Sequence, residues 1–89
     1  MEKAIITVVG KDRVGIISRV CTYLANKDIN INDISQTIMQ GYFNMMMIVS
    51  FEGELDFAEV VSDLNAIGEE IGVSIKMQHE EIFNKMHRL

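Results

Sequence analysis

Proline and tryptophan are absent from this chain, and Cys21 is its only cysteine. A lone cysteine excludes an intrachain disulfide and any multi-cysteine metal site. With no proline and only six glycines, no stretch has the composition of a linker. Positive charge is scarce: 8 Lys+Arg stand against 13 Asp+Glu, a formal net charge of −5. That balance speaks against nucleic acid as a direct partner, because affinity for a polyanion comes chiefly from neutralising its phosphates. Long hydrophobic runs are missing too. The longest, such as Met45 to Val49, fall far short of the roughly 20 residues a membrane helix needs. The first ten residues lack the apolar segment and small-residue cleavage site of a signal peptide. The expectation is a cytoplasmic protein with no membrane partner.

What the chain does have is a globular balance, 48% hydrophobic and 24% charged over 89 residues. That length suits one domain, residues 1–89, with a core over about 3–78 and a helical tail over about 80–89. A core of this size is marginal alone, so a homo-oligomer, most simply a dimer, is expected.

The hydrophobic period changes along the chain. Ala4 to Val9 is β-branched and nearly continuous, which predicts a strand buried on both faces. From Val14 the apolar residues Ile16, Ile17, Val20, Cys21 and Leu24 recur at helical spacing, with Asp12 placed to be the N-cap. Lys27-Asp28 ends that helix. Ile29 to Gln40 and Tyr42 to Phe51 read as strands joined by a tight turn at Gly41. Phe57, Val60, Val61, Leu64, Ile67 and Ile71 mark a second helix, with Glu54 and Asp56 at its start and Gly72 as its stop. Val73 to Gln78 alternates as a half-buried strand. Ile82, Phe83, Met86 and Leu89 fit a short C-terminal helix that needs a surface to dock on.

The order β-α-β-β-α-β, with right-handed crossovers, predicts an α+β ferredoxin-like sandwich. It has a four-stranded antiparallel sheet, two helices on one face and the short C-terminal helix besides. Along Tyr42 to Phe51 both faces are largely apolar, yet the helices cover only one. The other face calls for an interface or for the tail helix of the same chain.

Ile5 to Ile17 (IITVVGKDRVGII), with Asp12, Gly15 and Ile16 in an Asp-x-x-Gly-Ile pattern, resembles the first strand, loop and helix start of an ACT domain. Asp28-Ile29-Asn30-Ile31 is similar to that family's entry into its second strand. The likeness covers Lys3 to about Gln78 and is nearest to small stand-alone members, similar to the modules of the glycine cleavage system repressor. It implies a regulatory protein that binds a small amino acid or related metabolite at a subunit interface. Carried across, Asp12, Arg13, Gly15 and Ile16 of the loop and Asn30 and Asn32 of the second strand become the candidate ligand-binding residues. Val14 stands where a proline is frequent, and Asp12 is an acid where some binders carry an amide.

Each candidate has a plainer reading. Asp12 is explained equally by capping a helix. Arg13 reads as a solvated loop residue or an anion guide. Gly15 falls inside the expected first turn, where glycine costs about 1 kcal/mol relative to alanine, so ligand approach or close packing is expected of it. The Ile16 N–H at a helix start suits a carboxylate. Asn30 and Asn32, two apart, share one side of a strand and can bind a ligand or each other. Cys21 reads as an inert buried thiol. His79 and His87 give neither a metal spacing nor a nucleophile with its base, so no cofactor, metal or catalytic residue is expected. Acylphosphatases share a strand, glycine loop and arginine. Here Val8-Val9-Gly10 and Arg13 have the wrong loop spacing, and Asn44 is a weak second group. Gln40-Gly41-Tyr42-Phe43 is similar to an RNA-binding strand motif but lacks its alternating aromatics. A competing function is a ligand-free assembly module that docks on a regulatory protein partner through the Met-rich strand and the C-terminal helix.

Overall fold

Two residue periods, two and 3.6, divide the described residues into seven elements. The computed structural model describes residues 2–11 and 14–86. The elements are β1 (Glu2–Lys11), α1 (Ile16–Asn26), β2 (Asn30–Met39), β3 (Tyr42–Phe51), α2 (Phe57–Ile71), β4 (Val73–His79) and α3 (Glu80–Met86). The strands form one sheet in the order β2-β3-β1-β4, every neighbouring pair antiparallel. This is the ferredoxin-like order expected, α3 included. The core lies between the sheet and the two long helices. Val20 and Leu24 of α1 and Val60 and Leu64 of α2 meet Ile6, Val8, Met45 and Met47 of the central strands.

Local chemistry explains the boundaries. α1 begins at Ile16, with Gly15 as its N-cap. The cap expected at Asp12 is therefore not the one that starts the helix, and Asp12 itself lies outside the described residues. Gly15 is not in the first turn either. It stands ahead of it at φ 91°, a left-handed backbone that only glycine adopts without strain. At the other end Ile29 N–H donates to Leu24 O (2.9 Å) and Asp28 N–H to Ala25 O (3.1 Å). With Asp28 at φ 58° this is a Schellman stop, and Ile29 and Leu24 supply its apolar contact. Gln40 and Gly41 both take positive φ, the backbone of a two-residue type I′ hairpin turn. α2 starts on Asp56, whose carboxylate accepts from Glu59 N–H at 3.1 Å, and stops on Gly72 at φ 78°.

β1 departs from the expectation of burial on both faces. Ala4, Ile6 and Val8 are buried toward the helices. On the open face Ile5 is 5% exposed, whereas Val9 is 48% exposed. The difference follows α3, which lies against β1 and β4. Ile5 pairs with Ile48 and Gln78 on the open face and is no part of the main core cluster, so α3 is what shields it. The tail thus covers one end of that face. Val9, Met39, Tyr42 and Met46 remain exposed at the other.

Candidate functional site

β2 is an edge strand, and the candidate residues that the structure describes sit at or beside its two ends. At the first end Asn30 is opposite Ser50, after which the register shifts between Ile31 and Asp33. The shift makes Asn32 an extra residue, a bulge that re-aims a side chain. Asn30 Nδ2 donates to Asn32 Oδ1 at 2.8 Å, and Ser50 Oγ donates to the same oxygen at 3.1 Å. Ser50 is buried. These three residues, with Asp28, Phe51 and Glu52, line a hollow of about 230 Å³. An adjoining hollow of about 270 Å³ shares Asp28, Phe51 and Glu52 and adds Lys27, Glu54 and Leu55. With its oxygen engaged twice, Asn32 has an amide nitrogen left to donate to an anion. Asn30 has an oxygen left to accept from a cation such as an ammonium. Sequence reasoning found both asparagines. It missed Ser50, visible as a polar break in an apolar strand, and it missed the acids Asp28 and Glu52, which only the fold brings alongside.

The second end holds Gly15 and Ile16. With Ile17, Ser18, Gln36, Ile38 and Phe43 they line a cleft of about 210 Å³ between the start of α1 and β2. Gly15 offers no side-chain cap, and Arg19 N–H is the helical donor that Gly15 O accepts. The first turn of α1, the positive end of the helix dipole, thus borders the cleft. Among the described residues nothing lies within 4 Å of where a Cβ on Gly15 would stand, and its φ of 91° is the backbone conformation that demands a glycine. Asp12 and Arg13 lie outside the described residues.

One chain does not unite the two ends. The Asn32 cluster sits beside Ser50 of β3 and the Gly15 cleft beside Phe43, seven residues away on that strand. At about 3.3 Å per residue they are roughly 23 Å apart. The strand between them carries a single charge, Asp33, and no proline. Ile34 and Ile38 are 40% and 54% exposed on its helix-facing side, and Ile17 of α1 is 38% exposed beside them. A ten-residue edge so lightly charged is a template for pairing.

Other chemistry is sparse. Among the described residues no group of three or more His, Cys, Asp or Glu could hold a metal ion. Burial pushes the Cys21 thiol above its usual range, which lowers its thiolate fraction and its reactivity. No helix among the described residues is long and apolar enough to cross a membrane.

A family model described as the ACT domain matches residues 2–78. A UPF0237 protein of Bifidobacterium longum is 60% identical over 90 residues, covering 100% of each chain. An ACT domain protein from Streptococcus pneumoniae superposes with a TM-score of 0.83 at 44% identity, covering 92% of this chain and 93% of that one. A structure described as a glycine cleavage system transcriptional repressor gives a TM-score of 0.79 at 24% identity. It shares the fold over 88% of this chain and 45% of its own.

Proposed function

The chain belongs to the ACT domain family, and from that premise we propose that it is a small regulatory protein, not an enzyme, that binds an amino acid or similar metabolite between two copies of itself. ACT domains are typically regulatory and bind amino acids. One observation supports the reading: the two candidate clusters stand at opposite ends of an edge strand. A two-fold axis through the middle of β2 would run two copies antiparallel. The Asn30–Asn32 end of one would then lie beside the Gly15–Ile16 end of its partner. Each interface would hold two such composite sites, as an isologous contact requires. The ligand's carboxylate would meet the α1 N-terminus, and its ammonium the Asn30 oxygen and nearby acids. Asp12 and Arg13 complete the proposed set from the same loop. The pairing would also bury Ile17, Ile34 and Ile38. A cytoplasmic location goes with this reading.

Thermal unfolding with each amino acid in turn, alongside a solution mass, tests it. A ligand at about 100 times its Kd stabilises by about 2.7 kcal/mol, a rise of roughly 10 °C or more for a domain this size. Asp12→Ala with Asn30→Ala should abolish the rise while leaving the oligomer intact. A folded oligomer indifferent to every amino acid would end this reading.

A second reading is favoured by the exposed half of the open sheet face. There the protein would dock on a regulatory partner through β3 and the tail, with or without a small ligand.

A further inference from the structure

The open face of the sheet has two halves. Near α3 it is covered, as Ile5 shows at 5% exposure. Away from α3 it presents Met39, Tyr42, Val9 and Met46, exposed by 66%, 58%, 48% and 40%. By register Met39 is opposite Tyr42 and Tyr42 opposite Lys11, Val9 is opposite Asn44, which stands between Tyr42 and Met46 on this face of β3, and Met46 is opposite Thr7, which also faces Lys76. A patch of large apolar side chains is therefore flanked by two lysines. Among the described residues the nearest acid by register, Asp33, lies opposite Ile48, on the side toward the covered half.

The charge distribution is uneven in a telling way. Arg19, Lys27 and Lys85 are each paired, with Glu70, Glu59 and Glu81 respectively. Lys3 shares a hollow with Glu2, Glu80 and Glu81. Among the described residues Lys11 and Lys76 make no ion pair, and both are exposed. On a chain of net charge −5 the exposed half-face is locally cationic. A second copy stacked by the same face would set lysines against lysines, so charge complementarity selects a different, acidic occupant. The backbone narrows the choice further. β1 and β3 are hydrogen-bonded on both sides, so an occupant finds no free ladder groups there. It must satisfy its own backbone, which a helix does.

We propose that the exposed half of the open sheet face, Val9, Met39, Tyr42 and Met46 between Lys11 and Lys76, docks an acidic amphipathic helix of a partner protein. The apolar stripe of that helix lies on the methionines and Tyr42, and its flanking carboxylates reach the two lysines. Thioethers on flexible stems adapt to such a stripe. The inference rests on the docking reading and is independent of amino-acid binding.

The test uses the whole chain, isotope-labelled, titrated with three designed helical peptides of about 18 residues, about 27 Å long. All share one leucine stripe, flanked by Glu, by Lys or by Gln. The Glu peptide should shift amide signals of Val9, Met39, Tyr42 and Met46 and the Met39 and Met46 methyl signals. It should bind about tenfold more weakly to Lys11→Glu/Lys76→Glu, a folded double variant by circular dichroism. Equal binding of the three peptides at this face would keep docking and overturn the acidic partner. No shift at this face with any peptide would overturn docking itself. Conversion of the unliganded oligomer to monomer by Met46→Glu would show a second copy on the face and overturn the proposal outright. Apart from that last outcome, none of these results touches the thermal-shift test of amino-acid binding.

Discussion

At the scale of the residue, backbone geometry decides which positions tolerate change. A Cβ on Gly68 would stand 2.6 Å from the Val73 carbonyl oxygen, closer than contact allows. That carbonyl belongs to β4, so the end of α2 or the strand would have to move. Gly68→Ala should therefore destabilise the fold by about 1–3 kcal/mol, although alanine is the better helix former. Urea unfolding reads this directly, and a neutral or stabilising result would refute the close approach. Gly68 gave no sign in the sequence beyond being a glycine in a helix, because its contact comes from a strand that is not part of the helical period. Asp28 is the converse. It holds φ 58°, the place glycine usually takes, and its side chain lines the candidate site. Sequence marked it correctly as a helix end and could not mark it as part of a pocket.

At the scale of the element, α1 and α2 are tied across their exposed faces by three polar contacts. Arg19 pairs with Glu70 at 3.3 Å and Lys27 with Glu59 at 2.6 Å, both solvated and each worth little. Between them the Tyr23 hydroxyl donates to Asp63 Oδ2 at 2.6 Å. Burial first, then that hydrogen bond, then the charges of Asp63 and Glu59, hold the Tyr23 phenol well above its ordinary range. The phenol must stay protonated to donate. In the unfolded chain it ionises near pH 10, so its contribution is whole below that pH and is lost as pH climbs toward the raised folded value. Lys27, raised chiefly by its hydrogen bond to Glu59, acts in the same direction. Tyr23→Phe should cost about 1 kcal/mol at neutral pH. Its stability should also fall less steeply than the parent's above about pH 10. Parallel alkaline slopes in the two proteins would show that the bond does not carry the effect. The helical stripes were legible, since each helix repeats its own apolar period. The cross-links were not, because Tyr23 and Asp63 are 40 residues apart and neither position looks unusual alone.

At the scale of the whole molecule, the proposed site needs a second copy of the 89-residue chain, because its candidate clusters stand at opposite ends of one strand. Edge pairing would bury the 40% and 54% of Ile34 and Ile38 still exposed, a gain of about half the roughly 1.5–3 kcal/mol that burying a fully exposed side chain of this size brings. Ile34→Lys places a charge in that contact. It should shift the oligomer toward monomer in sedimentation and remove any amino-acid thermal shift, while leaving the monomer fold intact, since Ile34 is 40% exposed. An unchanged mass would place the interface elsewhere.

The sequence by itself determined the order of elements, the hairpin at Gly41, the two amphipathic helices and the ACT resemblance, because each is written in local period and turn chemistry. It also singled out Asp12, Arg13, Gly15, Ile16, Asn30 and Asn32 as candidates. Tertiary structure alone decided that Gly15 is a left-handed cap, that a bulge turns Asn32 onto Ser50, and that α3 shields Ile5 while leaving Met46 bare. It alone placed the two candidate clusters at opposite ends of β2. These depend on which strands become neighbours and which edge stays unpaired, and such contacts join residues that no local window contains.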